Sequence, residues 1–237
     1  MLADLVDLVL PRRCVGCGTH GASVCRTCLG ADAPRVVEVD GLRVVASADY
    51  TGGARTALLH YKERGRRDLA GPLGAALGGA ADILVPGGGA WLVPVPSSAR
   101  ARRARGGDHV LALARAARRG RPVGVARLLR HARAVQDSAG LTIDERAANL
   151  AGALVARPVA DPGRPDRPVR PVVVVDDIVT TGATLREAAR ALASAGWPVL
   201  GAAVVAATPR LLPQRSPRAV DGSAQTPFSD RHPRLTW

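Results

Sequence analysis

The chain has 237 residues, of which 47% are hydrophobic, and this length suits one sizeable α/β domain with a small appendage. Its formal net charge is +13, carried almost entirely by arginine, because Lys62 is the single lysine. No uninterrupted apolar run is long enough to cross a bilayer, so we expect no membrane insertion.

The N-terminal stretch, MLADLVDLVLPRRC, is apolar but carries two aspartates and no leading positive charge. This pattern predicts a short amphipathic helix that packs on the domain rather than a signal peptide. A cytoplasmic location is therefore the default expectation.

All four cysteines follow at once, as the pairs Cys14–Cys17 and Cys25–Cys28. Two CxxC pairs seven residues apart predict a tetrahedral zinc site, and four thiolate ligands would make it structural. Disulfide bonds are the alternative, which a cytoplasmic location disfavours, and a redox site would need only one pair. His20, between the pairs, is interpreted as a solvated turn residue.

Strands and helices alternate along the rest of the chain. Apolar patterns predict strands at 42–50, 91–96, 171–175 and 199–208, and helices within 51–84 (broken near Gly65), at 108–119, at 142–156 and from 183 to Gly196. The helix predicted at 142–156 would begin at Thr142, with Glu145 completing a capping box. Residues 123–136 look irregular, and 157–171 hold five prolines and should form a loop. Such alternation predicts an α/β fold with a mostly parallel sheet covered on both faces.

Three units are expected from this organisation. They are a zinc-binding segment at 1–35, one domain at 36–208, and a C-terminal tail at 209–237 that lacks periodicity and is predicted to be disordered.

Arginine is concentrated in residues 97–133, which hold eleven arginines and a single acid, Asp108. A cluster of this size is typical of a surface that binds phosphates or nucleic acid. The alternative is a solvated helix face in a chain whose composition favours arginine throughout.

The stretch PVVVVDDIVTTGATL, residues 171–185, carries the most specific signal. Four valines suit a strand buried on both faces, with Asp176 and Asp177 at its end and a helix after the loop. Thr180, Thr181, Gly182, Ala183 and Thr184 would offer backbone N–H groups and hydroxyls to a phosphate at the N-terminus of that helix. The two acids would accept hydrogen bonds from sugar hydroxyls, directly or through Mg²⁺. This combination indicates a ribose 5-phosphate site, and an ordinary capped helix is the alternative.

These residues resemble the phosphoribosyl pyrophosphate (PRPP) motif of type I phosphoribosyltransferases. Residues 10–208 further resemble the ComF (competence protein F-like) family, through the paired CxxC, YKERGRRDLAGPLG, VPVPSSARARRARGGDHVLALA and LLRHARAVQDSAGLTIDERAANLAGALVA. One turn departs from that family: Arg-Gly-Gly-Asp-His, residues 105–109, stands where the family usually has Arg-Gly-Phe-Asn-Gln. The resemblance therefore does not predict the contacts of that turn.

The resemblance implies a type I phosphoribosyltransferase fold and a set of site residues. Asp176 and Asp177 would be catalytic and hold the ribose hydroxyls and Mg²⁺, while residues 180–184 would wrap the 5-phosphate. The remaining expected positions are a pyrophosphate loop of Pro94, Val95, Pro96, Ser97 and Ser98, with Arg100 and the arginines up to 105 behind it, and a mobile loop with Arg130, Arg133 and Gln136. Lys62 is expected to contact phosphate, with a structural salt bridge as the alternative.

Two functions from different classes remain open at this point. One is Mg²⁺-dependent transfer of a phosphoribosyl group from PRPP to an acceptor, a reaction that needs positioning and charge neutralisation more than a covalent partner. The other is a PRPP-sensing accessory protein in DNA uptake and competence, with single-stranded DNA bound by the arginine-rich 100–133 region. A nucleobase-salvage enzyme is a third, weaker possibility, since a zinc knuckle is not expected there. The few aromatic residues, 3% of the chain, leave little stacking surface for DNA.

Overall fold

The computed structural model describes residues 12–132, 150–159 and 169–211. Its strands are β1 (Arg35–Val39), β2 (Leu42–Asp49), β3 (Trp91–Pro94), β4 (Gly124–Val125), β5 (Leu129–His131), β6 (Leu154–Ala156), β7 (Val172–Val179) and β8 (Val199–Ala207). Its α-helices are α1 (Arg26–Leu29), α2 (Gly52–Glu63), α3 (Ala70–Leu84), α4 (Ala99–Arg105), α5 (His109–Ala117) and α6 (Ala183–Ser194). Short 3₁₀ turns lie at Arg67–Leu69 and Pro209–Leu211.

Six strands form the central sheet, in the order β1-β2-β8-β7-β3-β4. The edge strand β1 is antiparallel to β2, and all other neighbours in this sheet are parallel. Strand β7 therefore lies in the interior of the sheet, between β8 and β3. The predicted α/β fold with a mostly parallel sheet is confirmed.

The valine run of β7 is buried on both faces, as its composition predicts. Val173 and Val175 belong to the apolar cluster that includes side chains of α2, α3 and α5. Val172 and Val174 belong to the cluster on the opposite face, which includes α6. Because side chains alternate along a strand, the next two residues also point to opposite faces: Asp177 to the side of α2 and α5, and Asp176 to the side of α6.

The helix predicted for 142–156 is wrong at its C-terminal end. Leu154–Ala156 forms β6, which pairs antiparallel with β5 in a separate two-stranded ribbon. Leu154 is buried, and its N–H donates to the Glu187 carboxylate at 3.0 Å, so tertiary contacts outweigh local helix propensity. Residues 142–149 lie outside the described part of the chain.

Three further features differ from the sequence prediction. Strand β1 was not predicted, and residues 124–125 and 129–131, expected to be irregular, form β4 and β5. The basic stretch after 98 forms α4, because the Ser98 hydroxyl caps its first turn by accepting from the Ala101 N–H at 3.1 Å. Strand β7 also continues past both acids to Val179, because β8 stays paired with it as far as Ala207.

The cysteine segment packs against the domain rather than projecting from it. Cys14, Val24 and Leu29 are buried in the same cluster as Leu58 of α2. The predicted unit boundaries and the N-terminal helix stay predictions, and residues 1–11 lie outside the described residues. The first three residues of the predicted disordered tail, 209–211, form a 3₁₀ turn instead, and 212–237 lie outside the described residues. Within the described ranges, no helix is both long and apolar enough to cross a membrane.

Candidate functional site

Two of the predicted loops meet at the carboxyl edge of the parallel sheet. The pyrophosphate loop, residues 94–98, follows β3, and the phosphate loop, residues 180–184, follows β7. Pro94 pairs with Val175 in the ladder, and the Val95 N–H donates to the Val175 carbonyl at 3.0 Å. Both loops therefore lie beside the acid pair, Asp176 and Asp177, at the edge where open α/β sheets bind ligands.

Asp177 is buried and receives two donors on a single carboxylate oxygen. Lys62 Nζ lies 2.8 Å and His109 Nε2 lies 2.9 Å from its Oδ2. Burial alone would raise the pKa of Asp177, but the His109 hydrogen bond and the charge of Lys62 outweigh it and lower the pKa to about 2. Asp177 is therefore ionised at neutral pH.

Asp176 has the opposite electrostatics. Its Oδ1 accepts the Asp177 N–H at 2.8 Å. Although part of its surface is exposed, desolvation and then the charge of Asp177 raise its pKa well above the ordinary value. Carboxylate oxygens are the ligands that Mg²⁺ prefers, and Asp176 is the more available of the two because Asp177 Oδ2 already has two partners.

The pyrophosphate loop is braced from three sides. Its Ser97 hydroxyl lies 3.3 Å from His109 Nδ1 and 3.2 Å from Asp108 Oδ1. The Ser97 carbonyl accepts from Arg102 at 2.7 Å, and the Pro96 carbonyl accepts from His131 Nε2 at 2.9 Å. The loop is therefore tied to α4, α5 and β5.

The phosphate loop carries Gly182 at a position that only glycine fits. Its φ is +77°, and a Cβ there would collide with Val39 of β1. Gly182, the N-cap residue of α6, has no side chain to cap the helix, whose first turn holds no acid. The Ala183 N–H donates to Thr181 Oγ1 at 3.4 Å, whereas within the described residues the N–H groups of Thr184 and Leu185 remain for an anion, with Thr180 exposed beside them.

The other predicted site residues occupy different environments. Lys62 pairs with Asp177, so the structure matches the salt-bridge alternative, while the predicted phosphate contact of Lys62 stays a prediction. Arg100 and Arg130 are exposed on α4 and β5. Arg133 and Gln136 lie outside the described residues, so the predicted mobile loop is represented by Arg130 alone.

His109 is the residue that sequence reasoning missed. The histidines of the chain form no set with the spacing of metal ligands, and no sequence pattern connects one of them to the acid pair. The signal that could have found it is the departure at residues 105–109, where Asp-His replaces the usual Asn-Gln. This turn contacts Asp177 and Ser97, and Tyr61 supports it through a 2.9 Å hydrogen bond to the His109 carbonyl.

The four cysteines are close enough to hold one metal ion. Their sulfurs all lie within 4.8 Å of one another, and those of Cys17 and Cys25 are 3.8 Å apart. Zinc–sulfur bonds of about 2.3 Å in a tetrahedron would place the sulfurs roughly 3.8 Å apart, so the arrangement fits a Cys₄ zinc site. All four are free cysteines, which disfavours the disulfide alternative.

The electrostatics of the cluster agree with a metal centre. Burial opposes ionisation of Cys14, but the backbone N–H groups of Cys25, Cys17 and Gly16 outweigh it and lower its pKa to about 6. Crowding by the neighbouring sulfurs raises the pKa of Cys28 to about 12. A divalent cation would remove this mutual repulsion, since its ligands are thiolates.

A groove rich in arginine lies between α5 and β4. We call it the arginine groove. It has a volume of about 490 Å³ and is lined by Leu111, Arg115, Arg118, Arg119, Val125 and Arg127. Its four arginines are exposed, and none has an ion-pair partner in the part of the chain that the structure describes.

The family model for the phosphoribosyl transferase domain matches residues 108–226, which is half of the chain. The chain belongs to this family. Among curated proteins, none matches it. The phosphoribosyl transferase match begins at Asp108 and includes His109, the acid pair and the phosphate loop, whereas the cysteines, Lys62 and the pyrophosphate loop precede it.

Proposed function

We propose that the chain is a ComF-family phosphoribosyltransferase that transfers a phosphoribosyl group from PRPP to an acceptor in a Mg²⁺-dependent reaction. The observation that carries this proposal is the meeting of three parts at one sheet edge: the acid pair, the N-terminus of α6 behind Gly182, and the braced pyrophosphate loop. Phosphate donors beside diol acceptors suit a ribose 5-phosphate with a diphosphate on its first carbon.

Each part has a distinct task in this proposal. The N–H groups and hydroxyls of the phosphate loop bind the 5-phosphate, and the acid pair accepts hydrogen bonds from the ribose hydroxyls. The pyrophosphate loop, Lys62 and the arginines of α4 bind the diphosphate. The bond from the anomeric carbon to a pyrophosphate oxygen breaks, and the acceptor nucleophile bonds to that carbon and loses its proton.

The acid pair would hold Mg²⁺ together with oxygens of the substrate. The ion would neutralise the charge of the leaving pyrophosphate. The Cys₄ cluster would hold zinc, with a structural role, because four thiolates leave no open coordination position. The proposed location remains the cytoplasm.

Calorimetric titration of PRPP, with and without Mg²⁺, tests the site assignment. The wild-type protein should bind PRPP saturably and require Mg²⁺, and the variant Asp176→Asn with Asp177→Asn should lose that binding. A variant with Asp32→Asn and Asp82→Asn removes the same charge from exposed ion pairs elsewhere and should bind normally. Unchanged affinity in the acid-pair variant would overturn the assignment, and an acceptor screen for pyrophosphate release follows a positive result.

A second candidate function is the non-catalytic handling of single-stranded DNA, linked to PRPP sensing and DNA uptake. The observation that favours it is the arginine groove, whose four exposed arginines suit a phosphodiester backbone. Removing two of its arginines, by Arg118→Gln with Arg119→Gln, should weaken binding of an oligonucleotide. The dependence of log K on log salt should also flatten by about 1.4, if each arginine meets one phosphate of a single strand. Arg43→Gln with Arg55→Gln is the control of equal charge, and an equal effect in it would argue for non-specific attraction alone.

A further inference from the structure

His109 uses both ring nitrogens to connect the two halves of the site. Its Nε2 lies 2.9 Å from Asp177 Oδ2 on β7, and its Nδ1 lies 3.3 Å from the Ser97 hydroxyl in the pyrophosphate loop. The side chain is only 12% exposed, so these two contacts account for its polar atoms without solvent. One imidazole thus spans the gap between the acid pair and the pyrophosphate loop.

The direction of the hydrogen bonds follows from the carboxylate. Lys62 Nζ, which can only donate, lies 2.8 Å from the same Asp177 Oδ2, so this oxygen is an acceptor and His109 Nε2 donates to it. With neutral imidazole, Nδ1 accepts from the Ser97 hydroxyl. With imidazolium, Nδ1 donates to Ser97, and the Ser97 hydroxyl donates to Asp108 Oδ1, 3.2 Å away. Both protonation states preserve the connection from Asp177 to Ser97.

We propose that His109 is a positioning residue that couples the pyrophosphate loop to Asp177, an inference that rests on the proposed function. Its Nε2 orients the carboxylate on the face shared with Lys62, and its Nδ1 holds Ser97 and therefore the loop. Binding of diphosphate at the loop and of the ribose at the acid pair then favour each other, because both need the same imidazole position.

The two amide side chains separate the two contacts. The nitrogen of glutamine extends about as far as Nε2 of histidine, and that of asparagine about as far as Nδ1. His109→Gln therefore keeps the hydrogen bond to Asp177 and loses the one to Ser97. His109→Asn keeps the hydrogen bond to Ser97 and loses the one to Asp177. His109→Ala gives up both.

The experiment is calorimetric titration of Mg²⁺–PRPP into these variants, with Ser97→Ala introduced into the wild-type, His109→Gln and His109→Ala backgrounds. His109→Ala should weaken binding about tenfold, which corresponds to about 1.4 kcal/mol. His109→Gln should recover most of that affinity, and His109→Asn should not. Ser97→Ala should weaken binding about threefold in wild type and have no further effect once His109 is replaced, because the two residues act as one unit.

Two outcomes would overturn the coupling while leaving the proposed function intact. One is wild-type affinity in His109→Ala when the acid-pair variant does not bind. The other is the same Ser97→Ala effect in all three backgrounds, which would mean that His109 only fills space. If instead the acid-pair variant binds PRPP normally, the proposed function itself fails. Zinc content and circular dichroism check folding. If His109→Ala does not fold, the effect of Ser97→Ala in the His109→Gln background tests the coupling instead.

Discussion

Lys62 holds its ammonium 2.8 Å from Oδ2 of Asp177 and thereby joins the last turn of α2 to the end of β7. The carboxylate is 6% exposed and the lysine side chain 22%, so water screens the pair only weakly. Burial works against the charge of Lys62, but the neighbouring carboxylate outweighs it and raises the pKa of the lysine. The ion pair is therefore both a structural tie and part of the proposed site.

Removing the lysine should expose the energetic role of this tie. Lys62→Met keeps an apolar stem but leaves Asp177 with His109 as its remaining side-chain donor among the described residues, and should lower the free energy of unfolding by about 2 kcal/mol. Asp177→Asn should lower the free energy of unfolding much less in the Lys62→Met background than in the wild-type chain. Urea unfolding of the four proteins of this cycle measures the coupling, and simple additivity would contradict it.

The two acids should respond oppositely to amide substitution at pH 7. Asp177 has a lowered pKa, so its charge stabilises the fold above its unfolded value of about 3.8, and this contribution is lost as the pH falls towards 2. Asp177→Asn should therefore cost about 2 kcal/mol. Asp176 has a raised pKa, so its ionisation opposes folding as the pH rises past its unfolded value. Asp176→Asn should stabilise the protein, as measured by urea unfolding between pH 4 and 8, and destabilisation by both variants would refute this assignment.

Gly182 should tolerate no side chain. Gly182→Ala places a Cβ against Val39 at a positive φ, and we expect a loss of about 1 to 3 kcal/mol in stability together with weaker PRPP binding. Gly79, inside α3, has open space around the position of a Cβ. Gly79→Ala should therefore stabilise the chain by about 0.5 to 1 kcal/mol. Thermal unfolding and PRPP titration of the two variants test this difference. Equal changes in stability and in PRPP affinity for Gly182→Ala and Gly79→Ala would refute it.

The cysteine cluster should hold one zinc ion per chain and stabilise the packing beneath it. Chelation, or Cys14→Ser, should release the metal and lower the melting temperature, because Cys14 is buried in the same cluster as Leu58. The variant lacking both acids of the pair should keep its zinc. Elemental analysis and thermal unfolding measure both effects, and a melting temperature unchanged by metal loss would contradict a structural role.

Local sequence signals were sufficient for much of the sheet and its helices. The valine run predicted the interior position of β7, because an uninterrupted β-branched stretch suits burial on both faces. The spacing of the cysteines predicted that their sulfurs lie close together, because the two cysteines of a CxxC turn are neighbours in the sequence. The 142–156 prediction failed where Leu154 finds a cross-strand partner and Glu187, neither of which lies nearby in the sequence.

Sequence alone therefore determined the fold class, the acid pair, the phosphate loop and the cysteine cluster as candidates, because each depends on residues adjacent in the chain. Tertiary structure alone decided which partners the acids have. The placement of α2 and α5 on one face of β7 brings Lys62 and His109 to Asp177 and leaves Asp176 on the other face with a raised pKa. No local pattern encodes that difference, because it arises from burial and from charges that meet only after the parallel strands have aligned.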